Sequence, residues 1–125
     1  MTYLLDVNVL LAAIWHNHPL HERAFEGIKG KDIAVCPLAE LGFIRISTNP
    51  KATINAPMDK ARELLHRFRQ ERGPIHIADD LPALESKPAK SEDVTDSYLA
   101  ELAVRHGMRL ATMDSRLKHQ SVALI

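Results

Sequence analysis

Four acidic residues in distant segments have the side chains that could bind a divalent cation together. Asp6 interrupts the apolar stretch LLDVNVLLA, Glu40 lies in PLAEL, Asp96 in VTDSYL and Asp114 in LATMDSRL. A lone carboxylate in a buried stretch is costly unless it is paired or binds a metal. Four carboxylates packed together repel one another unless a cation is present. Mg²⁺ and Mn²⁺ take oxygen ligands and substrate phosphate, so the set predicts a metal-dependent reaction at a phosphate.

Each of these acids also has a purely structural explanation. Asp6 could cap a helix that begins at Val7, and Asp114 could cap a turn at Ser115. Glu40 and Asp96 fall in first turns of predicted helices, where a negative charge is favoured. Taken singly, the two explanations remain equally open, and it is the shared kind of position that favours a common site.

The pattern of apolar residues predicts strands that alternate with helices. Predicted strands cover 3–5, 33–36, 75–77 and 109–113, with a fifth candidate at 121–125, and predicted helices cover 9–15, 19–29, 37–47, 57–72 and 95–106. Residues 79–93 are polar and contain two prolines, so we predict a loop with one helical turn. Strands separated by helices imply right-handed crossovers and a parallel sheet covered on both faces. We find no domain boundary and expect one domain over residues 1–125.

The predicted sheet explains why the acids could meet. Sites of parallel α/β sheets lie at the carboxyl ends of the strands. Asp6 directly follows the first predicted strand, and Asp114 directly follows the fourth. Glu40 lies in the helix after the second strand, and Asp96 opens the helix after the long loop. We therefore expect all four carboxylates at one edge of the sheet.

Composition excludes several other classes of protein. Sixteen Lys and Arg balance 16 Asp and Glu, so there is no global basic signature of nucleic-acid binding. The single cysteine, Cys36, excludes an internal disulfide and a zinc site with several cysteines. No apolar run approaches the roughly 20 residues of a membrane span. The first residues show neither a basic region nor a small-residue cleavage site, so we expect no signal peptide. We expect a cytoplasmic protein without a membrane partner.

Three blocks of the sequence resemble the PIN-domain ribonucleases, and the closest match is to VapC-type toxins of bacterial toxin–antitoxin pairs. The blocks are LLDVNVLLA, PLAELGFIRISTNP and VTDSYLAELAVRHGMRLATMD. The resemblance implies a three-layer α/β/α sandwich with a central, mainly parallel sheet. It implies that Asp6, Glu40, Asp96 and Asp114 bind Mg²⁺, or Mn²⁺, and direct water onto an RNA phosphodiester. It also implies a transfer or ribosomal RNA substrate, a homodimer, and a cognate VapB-type antitoxin that inserts a segment over the active site.

Several nearby polar residues have two interpretations. Asn8 could hold the Asp6 carboxylate or serve only the start of a helix, and Thr112 projects to the same side of its strand as Asp114. Arg45 could touch phosphate or lie on a solvated helix face, and we predict Thr95 as the N-cap of its helix. A zinc site, a contact with the substrate or ordinary loop chemistry could explain the histidines of WHNHPLH, which are His16, His18 and His21.

The sequence also permits three functions other than a metal-dependent nuclease. A non-catalytic PIN-fold module for RNA binding or interaction would keep the fold without its chemistry. DVNVL loosely resembles the nucleophile motif of haloacid dehalogenase-like phosphatases, but Asn8 and Leu10 stand where that motif has Asp and Thr. A metal-free ribonuclease would need a pair of histidines as general acid and base, and none of the seven histidines forms an evident pair.

Overall fold

The structure is a computed structural model that describes residues 1–125. Its five strands are β1 (Thr2–Leu5), β2 (Asp32–Val35), β3 (Ile75–His76), β4 (Arg109–Thr112) and β5 (Val122–Leu124). Its five α-helices are α1 (Val7–Ile14), α2 (His21–Ile28), α3 (Pro37–Ser47), α4 (Met58–Arg72) and α5 (Val94–Arg105). The expected alternation of strands and helices is confirmed, with boundaries that differ by one or two residues.

The five strands form one sheet in which every neighbouring pair is parallel, in the order β3-β2-β1-β4-β5. In the centre, Leu4 of β1 lies opposite Ala34 of β2 and Leu110 of β4. The chain moves from β1 towards β3 in one direction and from β3 to β4 in the other. Right-handed crossovers therefore place α1 to α4 on one face and α5 on the opposite face, which is the expected three-layer α/β/α sandwich.

The core lies between the central strands and the helices on both faces. Leu4, Leu5 and Leu110 are fully buried in β1 and β4. Six of the eight residues of α1 are buried, because sheet, α2 and α3 surround this helix. On the other face, Leu99 and Leu102 of α5 are fully buried. This packing fixes β1, β4 and the starts of α1 and α5, which carry the candidate site residues.

Close packing also fixes the position of α3 against the start of α1. A Cβ atom added to Gly42 would lie only 2.8 Å from the Val7 Cγ2 atom. Real Cβ atoms essentially never make contacts below 3.0 Å. The small residue at position 42 is therefore what allows α3 to lie directly beside the residue that follows Asp6.

Two details differ from the sequence prediction. Thr95 is not an N-cap, because α5 begins one residue earlier, at Val94, with Asp93 in the cap position. The segment 79–93 contains two short 3-10 turns, Ala83–Glu85 and Ser91–Asp93, rather than one. The second of these turns leads directly into α5 and so extends the helical backbone ahead of Thr95. None of the helices is both long enough and apolar enough to cross a membrane.

Candidate active site

The strand order creates a crevice between β1 and β4. The connection after β1 runs to one side of the sheet and the connection after β4 to the other, and such switch points are where open α/β sheets bind ligands. Asp6 directly follows β1, and its backbone N–H donates to the Ala111 carbonyl of β4 at 3.3 Å. Asp114 lies two residues after β4 and donates its N–H to the Thr112 hydroxyl at 3.1 Å. The ends of two neighbouring strands thus bring these aspartates to the same crevice.

Asp6 has one oxygen with a structural role and one without. Its side chain is only 1% exposed, and Oδ1 accepts from the Val9 N–H at 2.7 Å and so caps α1. Oδ2 is buried, and no group donates a well-formed hydrogen bond to it; the Thr112 hydroxyl is close enough only to lower the pKa of the carboxyl. A buried acceptor without a partner is uncommon and costly. The helix cap therefore accounts for the burial of Oδ1 but not for that of Oδ2.

Burial and charge together shift the pKa of Asp6. Burial raises the pKa of its carboxyl from 3.8 to about 6, against the lowering effects of the Val9 hydrogen bond and the nearby Thr112 hydroxyl. The charges of Asp96 and Asp114 also act to raise this pKa, and their effect is part of the value of about 6. These two carboxylates therefore lie within electrostatic range of Asp6, as the sequence predicted. A site of this kind favours either a proton or a cation.

Asp96 and Asp114 have different surroundings. Asp96 lies in the first turn of α5, and its pKa is raised by partial burial and then by the charges of Asp114 and Asp93. Asp114 accepts from the backbone N–H of Arg116 at 2.9 Å and from its Nε at 3.2 Å. The backbone hydrogen bond and then the guanidinium hold the pKa of Asp114 below its usual range. Asp114 therefore keeps its negative charge beside two carboxyls that resist ionisation.

Glu40 lies at the expected place in the first turn of α3 but has a different neighbour. Its Oε2 is 3.7 Å from the Nε of Arg69 in α4. The same oxygen is buried and has no hydrogen-bond partner. The charge of Glu40 is not among the causes that shift the pKa of Asp6, Asp96 or Asp114. The structure thus brings three of the four predicted acids together and leaves the fourth beside an arginine.

The three aspartates offer oxygen ligands that suit a divalent cation, although their carboxylates are not arranged around one metal position. No group of three or more His, Cys, Asp and Glu side chains is arranged to hold a metal ion. The buried, unpartnered Oδ2 of Asp6 is nevertheless the kind of hard oxygen donor that Mg²⁺ and Mn²⁺ take. A cation there would satisfy this oxygen and offset the repulsion among the three charges. The predicted ligand set, with Glu40 as its fourth member, stays a prediction.

The sequence analysis missed two arginines that contact the predicted acids. Arg116 follows Asp114 by two residues, and an aspartate that accepts from a backbone N–H two positions later is a common turn, so this contact had a local signal. Arg69 lies 29 positions from Glu40, and nothing in the periodicity of α4 shows which residue it faces. Arg45 is exposed and lines a cavity of ≈ 610 Å³ together with Val7 and Thr95.

The remaining polar candidates have mostly local roles. Asn8 is exposed in the first turn of α1, whereas Thr112 is fully buried beside Asp6. His21 Nδ1 is 2.8 Å from the Ala12 carbonyl, and His18 Nδ1 accepts from the Leu20 N–H at 3.0 Å. The His16 and His21 rings lie 4.7 Å apart. These histidines serve the turn between α1 and α2, and they form no zinc-binding group.

The amino-acid sequence is similar to a known family and to curated ribonucleases. A family model described as the PIN domain matches residues 3–122. Ribonuclease VapC38 of Mycobacterium tuberculosis is 39% identical over 119 residues, which cover 90% of this chain and 84% of the relative. Ribonuclease VapC44 of the same species is 35% identical over 133 aligned residues, which cover 99% of this chain and 90% of the relative.

Solved structures with low sequence identity share the fold. The VapBC2 complex of Rickettsia felis bound to a DNA fragment from its promoter matches with a TM-score of 0.60 and 15% identity, over 93% of this chain and 90% of that one. FitAcB from Neisseria gonorrhoeae matches with a TM-score of 0.57 and 19% identity, over 92% and 88%. At such identities the likeness concerns the architecture of the chain alone.

Proposed function

This chain belongs to the PIN-domain family, and on that premise we propose that it is a metal-dependent endoribonuclease of the VapC toxin type. The proposal takes residues 1–125 as one PIN domain. The observation that carries it is the buried Oδ2 of Asp6, which has no hydrogen-bond partner and lies within range of the Asp96 and Asp114 charges. The names of the VapC ribonucleases that it resembles support the choice of RNA as substrate.

Asp6, Asp96 and Asp114 would hold Mg²⁺ or Mn²⁺, with Glu40 as a fourth ligand once it separates from Arg69. When bound, the ion supplies a positive charge that makes water a better nucleophile and offsets charge on the phosphate. The chain itself orients the ligands. The Val9 N–H fixes Oδ1 of Asp6 in the helix cap, and Oδ2 takes no part in that cap. The Arg116 backbone N–H holds the carboxylate of Asp114 in a fixed turn.

Purified protein tests this function directly. We expect cleavage of transfer or ribosomal RNA in Mg²⁺ or Mn²⁺, inhibition by EDTA, and loss of cleavage in Asp6→Asn and Asp96→Asn. Asp32→Asn is the matched control, because Asp32 is an exposed acid at the opposite edge of the sheet, where β2 begins. Full activity of the Asp6→Asn variant would show that Asp6 is not a ligand of the catalytic metal. New RNA 5′ ends mapped in cells that express the wild type, but absent with Asp6→Asn, identify the substrate.

A cognate VapB-type antitoxin is the partner that we propose. A groove of ≈ 520 Å³ lies between the end of α1, α2 and α4. Its apolar walls include Ile14, Trp15, Phe25, Leu64 and Phe68, and its polar walls include Arg67, Glu71 and Arg72. An apolar segment of the antitoxin would bury this surface, which favours association. Expression alone should be toxic to a bacterial host, and coexpression with the neighbouring open reading frame should relieve toxicity. Phe25→Ala should stay toxic but be relieved less well.

We propose that the protein acts in the cytoplasm, on RNA found there, and that a homodimer is its working state. Sedimentation of the purified chain at several concentrations measures its oligomeric state. A mass of one chain at all concentrations would contradict the homodimer and leave the proposed nuclease unaffected.

A non-catalytic PIN-fold module for RNA binding is the second candidate. Two observations favour it. Glu40 faces Arg69 rather than the aspartates, and no three acidic side chains are arranged so that they could hold a metal ion. Calorimetric titration with Mn²⁺ distinguishes the two functions. The nuclease should bind Mn²⁺ and lose this binding in Asp6→Asn, whereas the module should bind RNA with no dependence on the metal.

A further inference from the structure

A further cavity lies beside the candidate active site, along the irregular segment 79–93. Its volume is ≈ 360 Å³. The start of α3, the segment itself and the start of α5 form its walls, and the residues that matter here are Leu38, Asp79, Ala83, Val94 and Tyr98. None of these residues belongs to the predicted metal site, so the cavity has no role in the proposed chemistry so far.

Four contacts hold the segment above this cavity in place. Asp79 Oδ2 accepts from the Leu38 N–H at 2.9 Å, which joins the segment to α3. The Tyr98 hydroxyl donates to the Leu81 carbonyl at 2.8 Å, which joins it to α5. Asp80 Oδ1 lies 2.8 Å from His106 Nε2 and 3.4 Å from Arg105 Nε at the far end of α5. The cavity is therefore formed before any ligand binds, and preorganisation lowers the cost of binding.

The cavity is continuous with the surface that passes the predicted metal ligands. Thr95 lines it and is followed in the chain by Asp96. Thr95 and Leu38 also line the neighbouring cavity that contains Arg45. A strand of RNA whose phosphate lies at the aspartates could therefore extend past Thr95 into either of these adjoining cavities.

The chemistry of the walls matches one unstacked nucleobase. Leu38, Ala83 and Val94 offer apolar surface to the faces of a flat ring, while the exposed Asp79 offers carboxylate oxygens to its edge. The Asp79 carboxylate accepts one hydrogen bond, from the Leu38 N–H. A carboxylate has about four acceptor positions, so others remain for a base. Proteins read RNA sequence mainly on such splayed bases, through stacking and contacts to the base edges.

We propose that this cavity receives one base of the RNA next to the scissile phosphate, and that Asp79 selects guanine over uracil there. A carboxylate accepts from the N1–H and N2–H groups of guanine together. Uracil offers a single N–H flanked by two carbonyl oxygens, which repel the carboxylate. The inference deepens the proposed ribonuclease function and rests on it for the identity of the ligand.

Asp79→Asn tests the selection. The asparagine carbonyl can still accept from Leu38, so α3 keeps its contact, but the amide N–H₂ now presents donors to the base. We expect the preference for guanine over uracil to fall about tenfold or to reverse. The assay is single-turnover cleavage of two oligonucleotides that differ only at the base beside the mapped site. An unchanged preference overturns the assignment of Asp79.

Ala83→Leu tests the cavity itself. Ala83 is exposed, so the larger side chain should not disturb the core, and it would narrow the cavity. Ala89→Leu is the matched control, because Ala89 is an exposed alanine of the same segment that does not line this cavity. We expect Ala83→Leu to weaken RNA binding about tenfold, as a lost base contact does, and Ala89→Leu to leave it unchanged. Equal binding by both variants overturns the proposal.

Binding in EDTA separates this inference from the ribonuclease function. Fluorescence anisotropy of short labelled RNAs, with guanine or uracil at the tested position, needs no cleavage. If the wild type binds with the guanine preference but does not cut in Mg²⁺ or Mn²⁺, the base cavity stands and the nuclease fails. If it cuts RNA but Asp79→Asn and Ala83→Leu behave as the wild type, the nuclease stands and the base cavity fails.

Discussion

Asp6→Asn should stabilise the metal-free protein, and the size of the effect follows from the burial of Asp6. A tenfold change in an ionisation constant is worth about 1.4 kcal/mol. A pKa raised from 3.8 to about 6 therefore costs the ionised folded state about 3 kcal/mol. Asparagine carries no charge, and its carbonyl can replace Oδ1 as the cap that accepts from Val9. The substitution removes the cost of the buried charge and keeps the hydrogen bond.

The gain should depend on pH in a defined direction. Folded Asp6 holds its proton more tightly than unfolded Asp6, so the wild type loses stability as pH rises from about 4 to about 6. Asp6→Asn lacks this loss. Its advantage in the free energy of unfolding should be about 3 kcal/mol at pH 8, roughly half of that at pH 5, and about 0.5 kcal/mol at pH 4.

Thermal and urea denaturation in EDTA at these three pH values measure the effect. For a chain of this size, about 3 kcal/mol corresponds to a rise of about 10 °C in melting temperature at pH 8. Asp32→Asn, an exposed acid, should melt close to the wild type. Mg²⁺ should then raise the melting temperature of the wild type more than that of Asp6→Asn, because a ligand stabilises the state that binds it. An Asp6→Asn protein that melts at or below the wild type at pH 8 refutes the reasoning.

Three further predictions concern the products of cleavage and the packing around the site. Attack by water, rather than by the 2′-OH of the substrate, should leave a 5′-phosphate on the downstream fragment and a 3′-hydroxyl on the upstream one. RNA with a 2′-deoxy residue at the cleavage position should therefore still be cut. Cleavage that resists EDTA and leaves 5′-hydroxyl ends would contradict the role of Asp6. Leu99→Ala should lower the free energy of unfolding by roughly 2–5 kcal/mol through a core cavity, and urea melts should give this loss with or without Mg²⁺. Gly42→Ala should destabilise by about 1–3 kcal/mol through overpacking against Val7, and Val7→Ala in the same chain should restore part of the loss; two purely additive losses in denaturant melts would show that the close contact has no energetic effect.

The sequence was most informative where the signal is local. Pro37 and Pro57 stand where α3 and α4 begin, and Gly73 and Gly107 stand just after α4 and α5 with positive φ angles of 55° and 68°. Apolar runs followed by helical spacing predicted the parallel sheet, because only crossovers of this length join parallel strands. The position of an acid directly after a strand could also be read from neighbouring residues alone.

Three features of the site depend on contacts between residues far apart in the chain. The strand order sets β4 beside β1, which brings Asp114 to Asp6, and alternation alone permits several other orders. Glu40 faces Arg69 because α3 packs on α4, so its partner could not be read from its place in α3. The contacts of Asp79 and Tyr98 give a fixed shape to a segment that the sequence indicated only as a polar loop.

Sequence by itself determined which residues can carry charge or donate oxygen ligands, and at which ends of which elements they lie. Local backbone preference and apolar periodicity act over a few residues, and so they can be read one segment at a time. Only the tertiary structure decided that Asp6 Oδ1 is used by a helix cap while Oδ2 is left buried without a partner. That difference arises because burial and hydrogen-bond satisfaction depend on every element that packs around a group, here the start of α1 and the ends of β1 and β4.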